Sequence, residues 1–161
     1  MLRRTILFGI TVGALAAATA RPAAAQSDKE QVLAAIESFM VGLRTKDTVL
    51  LLRHTDSATR MTLLRPTRDG GLRVMVFTGR EFITNVTAPN QAGIDEPIRN
   101  AVVHVDGDLA SVWAEYQVRV DGKVSHCGYD AFHMVRKQGI WRILNVSDTF
   151  RRTGCGDPWP R

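Results

Sequence analysis

The stretch "SHCGYDAFHMVRKQGIWRI", Ser125 to Ile143, decides the fold. Two runs of alternating apolar and polar residues flank Gln138-Gly139, the pattern of two antiparallel strands joined by a two-residue turn. With Lys137 paired to Ile140, that register sets Met134 opposite Ile143, Phe132 opposite Asn145 and Asp130 opposite Ser147. Asp130, Phe132, Met134, Trp141 and Ile143 then share one face, apolar enough to line a core. A carboxylate on that face is the anomaly of the sequence.

Working outward, "LASVWAEYQVRV" (109–120) and "IRNAVVHV" (98–105) extend the hairpin into a four-stranded antiparallel meander. The connection "VDGKV" reads either as a two-residue turn or as a three-residue turn with a glycine bulge. The second is preferred, since it sets Val112, Ala114, Tyr116 and Val118 opposite Phe132, Asp130, Gly128 and His126 and gathers apolar residues on one side. Upstream of the loop "TAPNQAGID" (87–95), Ser27 to Glu30 form a capping box, and Val32, Leu33, Ile36, Phe39, Met40 and Leu43 recur at helical spacing. A helix is expected over about 28–44, a short second one capped by Asp47 and ending near His54, and a third in "GREFITNV" after Thr78. Between the last two, "ATRMTLL" and "LRVMVF" flank the turn-rich "RPTRDGG" and predict a hairpin. The whole is an α+β domain, in which a curved sheet wraps its apolar face around three N-terminal helices.

The first 25 residues have the layout of a secretory signal peptide: Arg3 and Arg4, an apolar run from Ile6 to Ala20, and the small-residue site Ala23-Ala24-Ala25. The run is shorter than the roughly 20 apolar residues that span a bilayer. Residues 26–150 are then the domain and 151–161 an irregular tail, in a periplasmic or secreted protein with no membrane attachment after cleavage. Cleavage removes Arg3, Arg4 and Arg21 and no acid, which lowers the net charge from +5 to +2. The remaining charges are mixed in sign and form no basic stripe, which argues against a nucleic-acid partner. Cys127 and Cys155, bound for an oxidising compartment, are read as a disulfide, the alternative being two independent thiols. The register places Cys127 against Phe150, with Cys155 on a tail long enough to bend back.

"ESFMVGLRTKD" (37–47), "TGREFI" (78–83) and "YDAFHMVRKQGIWRI" (129–143), in this order, resemble the nuclear-transport-factor-2-like superfamily, which includes ketosteroid isomerase and the SnoaL-like polyketide cyclases. The resemblance covers nearly the whole chain after residue 25. It implies a cone-shaped pocket between sheet and helices (a cystatin-like roll), and in many members a homodimer formed through the sheet. Asp130-Ala131-Phe132 is similar to the isomerase's acid motif, in which an apolar site keeps a carboxylic acid neutral so that it donates a hydrogen bond. The isomerase's tyrosine falls at Phe39 and its general base at Thr62. Neither residue can serve, so that mechanism is not expected here.

The expected pocket is lined by Phe39, Leu43, Met61, Phe82, Tyr116, Asp130, Phe132 and Trp141, with Asp130 as polar anchor, and holds a small, mostly apolar ligand. One alternative is an isomerase, cyclase or dehydratase that uses Asp130 with a histidine. His54, at a helix end, and His126, on the face of Asp130, are the candidates. His126 and Asp130 are four residues apart, about 13 Å along a strand, and cannot bond directly. Asp130 could instead be structural, bonded to Ser147, Tyr116 or a buried water. The other alternative is a non-catalytic dimeric module with a filled interior. No histidine or acid spacing matches a metal cluster, and no phosphate or dinucleotide fingerprint is present, so neither metal nor cofactor is expected.

Overall fold

A computed structural model describes residues 26–160; the proposed signal peptide lies outside them. Helix α1 spans Asp28–Thr45. Ser27 Oγ accepts from Glu30 N, and Ser27 N donates back to the Glu30 carboxylate at 2.7 Å, which satisfies two of the free donors at the helix start. Its buried stripe is Val32, Ala35, Ile36, Phe39, Met40 and Leu43. Asp47 caps α2 (Thr48–Arg53) through Val49 N and Leu50 N. Strands β1 (Thr55–Pro66) and β2 (Leu72–Thr78) form the hairpin, and Thr78 with Glu81 caps α3 (Gly79–Val86). The meander follows as β3 (Ile98–Asp106), β4 (Leu109–Val120), β5 (Lys123–Lys137) and β6 (Ile140–Asp148).

The six strands make one sheet in the order β2-β1-β6-β5-β4-β3. It is not wholly antiparallel, because β1 joins the meander parallel to β6, with Met61 beside Val146 and Leu63 beside Asp148. Helix α1 fills the concave side, where its stripe packs against Val112, Ala114, Phe132, Met134, Trp141 and Ile143. No helix among the described residues is long and apolar enough to cross a membrane.

Besides a larger register break on β1 between Thr55 and Arg60, three one-residue bulges curl this sheet, since an extra residue on one strand bends it and increases its twist. On β3, Asn100 and Ala101 stand where β4 has Ala114 alone, and Asn100 takes a positive φ of 52°. On β5 the extra residue is Ser125, between the pairs Val118–His126 and Arg119–Val124. On β6 it is Leu144, between Ile143, opposite Met134, and Asn145, opposite His133.

The last two bulges revise the expected pairing. The β4–β5 register is the one anticipated, with Tyr116 opposite Gly128 and Val118 opposite His126. The turn is nevertheless the two-residue Asp121-Gly122, both with positive φ, and the extra residue sits inside the strand. Beyond Leu144 every partner on β6 moves by one. Phe132 faces Val146 in place of Asn145, and Asp130 faces Asp148 in place of Ser147. For the same reason Cys127 pairs with Arg151, not Phe150, through reciprocal backbone bonds of 3.0 and 2.9 Å.

Cys127 and Cys155 are joined in a disulfide, Cα to Cα 5.6 Å. The tail beyond β6 lies along the outer face of the sheet. The buried Gln117 side chain donates to the carbonyls of Cys155 and Asp157 and accepts from Trp159 N, and Arg119 Nη1 donates to Trp159 O. A segment without helix or strand is thus held by side-chain bonds to β4, by backbone bonds between Arg151 and Cys127 on β5, and by one covalent link.

Candidate functional site

Between the concave face, α1, α3 and the loop before β3 lies a partly enclosed cavity of about 440 Å³. Its walls are apolar. Phe39, Met40 and Leu43 come from α1, Met61 and Leu63 from β1, Phe82 and Val86 from α3, Phe132 from β5 and Val146 from β6. The rings of Phe39 and Phe82 lie nearly parallel, 6.5 Å apart. Strand alternation explains the set, since β1 turns Met61, Leu63 and Arg65 inward and leaves Thr62 out of the lining.

Polar side chains meet at one pole. Asp130 is 3% exposed, and its Oδ2 has no hydrogen-bond partner among the described residues. Asp148, across the strands from it, is bound by Arg65: Nη1 donates to both carboxylate oxygens at 2.8 and 2.7 Å, and Leu64 N adds a bond of 2.9 Å. Glu96, half-buried on the loop before β3, is the third carboxyl. His126 completes the pole, with Nδ1 3.2 Å from Ser125 Oγ and its ring tilted against Phe150 at 4.5 Å.

Three acids against one guanidinium in an apolar cone disfavour full ionisation. Burial, then the neighbouring charges of Glu96 and Asp148, raise the Asp130 carboxyl well above the usual range. Burial also pushes Glu96 up to about 8, with Asp148 adding to it. Asp148 is raised by burial, against which Arg65 pulls it down. Burial, helped by Arg65 and Arg152, lowers His126 to about 4, so its imidazole is neutral at pH 7. Glu96 thus holds its proton at neutral pH, Asp130 is driven toward its protonated form by the same causes, and Asp148 is paired to Arg65.

Six of the eight expected lining residues meet here: Phe39, Leu43, Met61, Phe82, Asp130 and Phe132. Tyr116 does not reach the cavity. It is buried behind His126, edge-on to it at 5.9 Å, and its hydroxyl donates to Thr149 O at 2.7 Å, so it makes no bond to Asp130. Ser147 is not a partner of Asp130 either, since its hydroxyl donates to Asn145. Trp141 is a core residue near the N-terminal half of α1, where it borders a separate shallow depression together with His54. His54 Nδ1 lies 3.0 Å from Trp141 O, which ties that imidazole to the backbone away from Asp130.

Arg65, Glu96 and Asp148 went unread in the sequence. Arg65 looked like part of the "RPTRDGG" turn, although the alternation Met61, Leu63, Arg65 was there to extend β1. Asp148 would have appeared opposite Asp130 had the Leu144 bulge been foreseen. Glu96 has no sequence signal, because a loop residue has no periodicity. No group of three or more His, Cys, Asp or Glu among the described residues is arranged to hold a metal ion.

Similarity to solved structures identifies the architecture as nuclear-transport-factor-2-like. The chain is similar to a nuclear-transport-factor-2-like protein from Cytophaga hutchinsonii, with a TM-score of 0.64 and 11% identity over 77% of this chain and 98% of that one. A protein from Nostoc punctiforme with a cystatin-like fold gives 0.62 and 14%, over 78% and 92% of the two chains. The association domain of CaMKII from Caenorhabditis elegans gives 0.57 and 21%, over 75% and 94%. No family model matches the chain, and no curated protein matches it in sequence.

Proposed function

We propose that this chain is an exported protein that holds a small, mostly apolar ligand in its conical cavity, with Asp130 as the polar anchor. The observation that carries the reading is the unpartnered, buried Asp130 Oδ2 at the polar end of a cavity whose remaining walls are mostly aliphatic and phenyl side chains. A filled core would have no need of a carboxyl there, since an unsatisfied buried polar atom costs about 1–3 kcal/mol. Export is supported by the Cys127–Cys155 disulfide, which persists in oxidising compartments.

The test is native mass spectrometry of protein purified from its own source, alongside titration with N-phenyl-1-naphthylamine, a neutral apolar fluorophore. A retained small molecule, or saturable uptake of one fluorophore that is lost when Val146→Trp fills the cavity with the fold intact, is the expected result. A protein that carries nothing and takes up no fluorophore is not a ligand carrier.

A catalytic reading is favoured by one observation: Asp130 and the neutral His126 line the same cavity. An acid that holds its proton and a base that has none are the complementary pair of general acid–base chemistry. Homodimer formation is supported by the outer face, where Val102 and Trp113 are about half exposed and Trp113 stacks on Tyr129 at 5.2 Å. The tail occupies the part of that face over Gln117 and Cys127, so a partner copy would meet the strip beside it.

A further inference from the structure

The polar pole of the cavity gathers three carboxyls, Asp130, Asp148 and Glu96, of which only Asp148 is bonded to a cation. Arg65 Nη1 is engaged by Asp148 and by Leu64 O, and the Tyr116 hydroxyl by Thr149 O. Asp130 Oδ2 makes no hydrogen bond among the described residues, and Glu96 lines the same cavity. Groups that need donors are matched by a ligand that brings them. The charge count points the same way, since three carboxyls face one guanidinium. The walls of the same cavity include the phenyl rings of Phe39, Phe82 and Phe132, and such rings attract cations over their faces.

We propose that the ligand is an amphiphilic amine, whose apolar body fills the cone and whose ammonium group is held between Asp130 and Glu96. This rests on the reading of the cavity as a ligand site and deepens it. An ammonium has three donors and one positive charge, enough to satisfy Asp130 Oδ2 and to bond Glu96. Burying such a charge is costly unless it is paired and hydrogen-bonded, and the pole supplies both conditions.

Proton balance gives the signature. The titratable and charged groups around Asp130 are Arg65 on β1, Glu96 on the loop, Tyr116 on β4, His126 on β5 and Asp148 on β6; α1 and α3 present only apolar side chains to the cavity. At neutral pH the empty site holds a proton on Glu96, and burial drives Asp130 toward its protonated form. An incoming ammonium stabilises one carboxylate, so a proton leaves to solvent as the ion pair forms. Affinity for a cation therefore rises with pH between about 6 and 8, and a neutral ligand shows no such rise.

The experiment is calorimetric titration of the intact protein with 3-phenylpropan-1-amine and with its neutral isostere 3-phenylpropan-1-ol. It is run in phosphate and in Tris, whose ionisation heats differ, at pH 6, 7 and 8. The amine is expected to bind about tenfold more tightly at pH 8, the margin of a charge-assisted contact over a neutral one, and to release up to one proton. Asp130→Asn and Glu96→Gln, each checked for fold by circular dichroism, are expected to reduce that preference, weakening the amine more than the alcohol. If the alcohol binds as well as the amine, or no proton is released, the cationic assignment fails while the apolar cavity stands. If neither compound binds, the cavity reading fails with it.

Discussion

Asp130 and Asp148 face each other across β5 and β6, yet only Asp148 has a cation, Arg65. The consequence is a stability that depends on pH. The folded chain keeps protons on Asp130 and Glu96 where an unfolded carboxyl, with a pKa near 4, has lost them. Below about pH 6.5 the lowered His126 and His54 offset this, since an unfolded imidazole binds a proton they do not. Between about pH 6.5 and the Glu96 value of about 8 the folded state thus binds more protons than the unfolded one, and stability falls as pH rises. Asp130→Asn keeps the shape and removes one of the two groups. Its Tm is expected to decline less than that of the parent from pH 5 to pH 8.5, by roughly 3 °C or more. Equal declines in thermal scans would show that Asp130 ionises freely. Arg65→Met is expected to cost about 2 kcal/mol in denaturant unfolding at pH 7, because it strands the buried Asp148 carboxylate. No change in the unfolding midpoint would mean that the pair contributes nothing.

At the scale of elements, the bulges position the site. Met134 to Ile143 is in the register expected from the Gln138-Gly139 turn, and one extra residue at Leu144 brings Val146 and Asp148 to the cavity face. The strand that carries Asp130 also passes very near the chain beyond β6. A Cβ on Gly128 would lie 2.1 Å from Thr149 O and 2.7 Å from Tyr116 Cε1. Backbone cannot give way there, since Thr149 N donates to Tyr129 O and Tyr129 N to Thr149 Oγ1. Gly128→Ala is therefore expected to cost on the order of 3 kcal/mol, through overpacking between strands. Denaturant unfolding checks it, and a loss below about 0.5 kcal/mol would mean that the C-terminal segment moves freely.

Across the whole molecule, one covalent link and one polar clasp hold residues 151–160 to the sheet. The disulfide joins positions 28 apart, so it restricts the unfolded chain, and cross-links of this kind contribute about 2–4 kcal/mol. Cys127→Ser with Cys155→Ser is expected to lose that amount in urea unfolding, and the parent should lose a similar amount when dithiothreitol is added. The clasp reaches toward the cavity mouth. Arg119, which donates to Trp159 O, also bridges to Asp95 at 2.9 Å, and Ile94 beside it lines the cavity. Amide exchange near Asp95 is expected to quicken in the double variant. Unchanged exchange there would show that tail and mouth are independent.

Local rules in the sequence determined the elements: capping at Ser27, Asp47 and Thr78, the turn at Gln138-Gly139, and the alternation that put Asp130 among Phe132 and Met134. These depend on neighbours a few residues apart, so they survive without tertiary information. Only the folded chain decided what Asp130 meets. Arg65, Glu96 and Asp148 come from three distant segments, brought together by sheet curvature and a bulge that no short-range preference encodes. Tyr116 and Trp141 left the expected lining for the same reason, since side-chain alternation specifies a face but not how far along the cone the cavity runs.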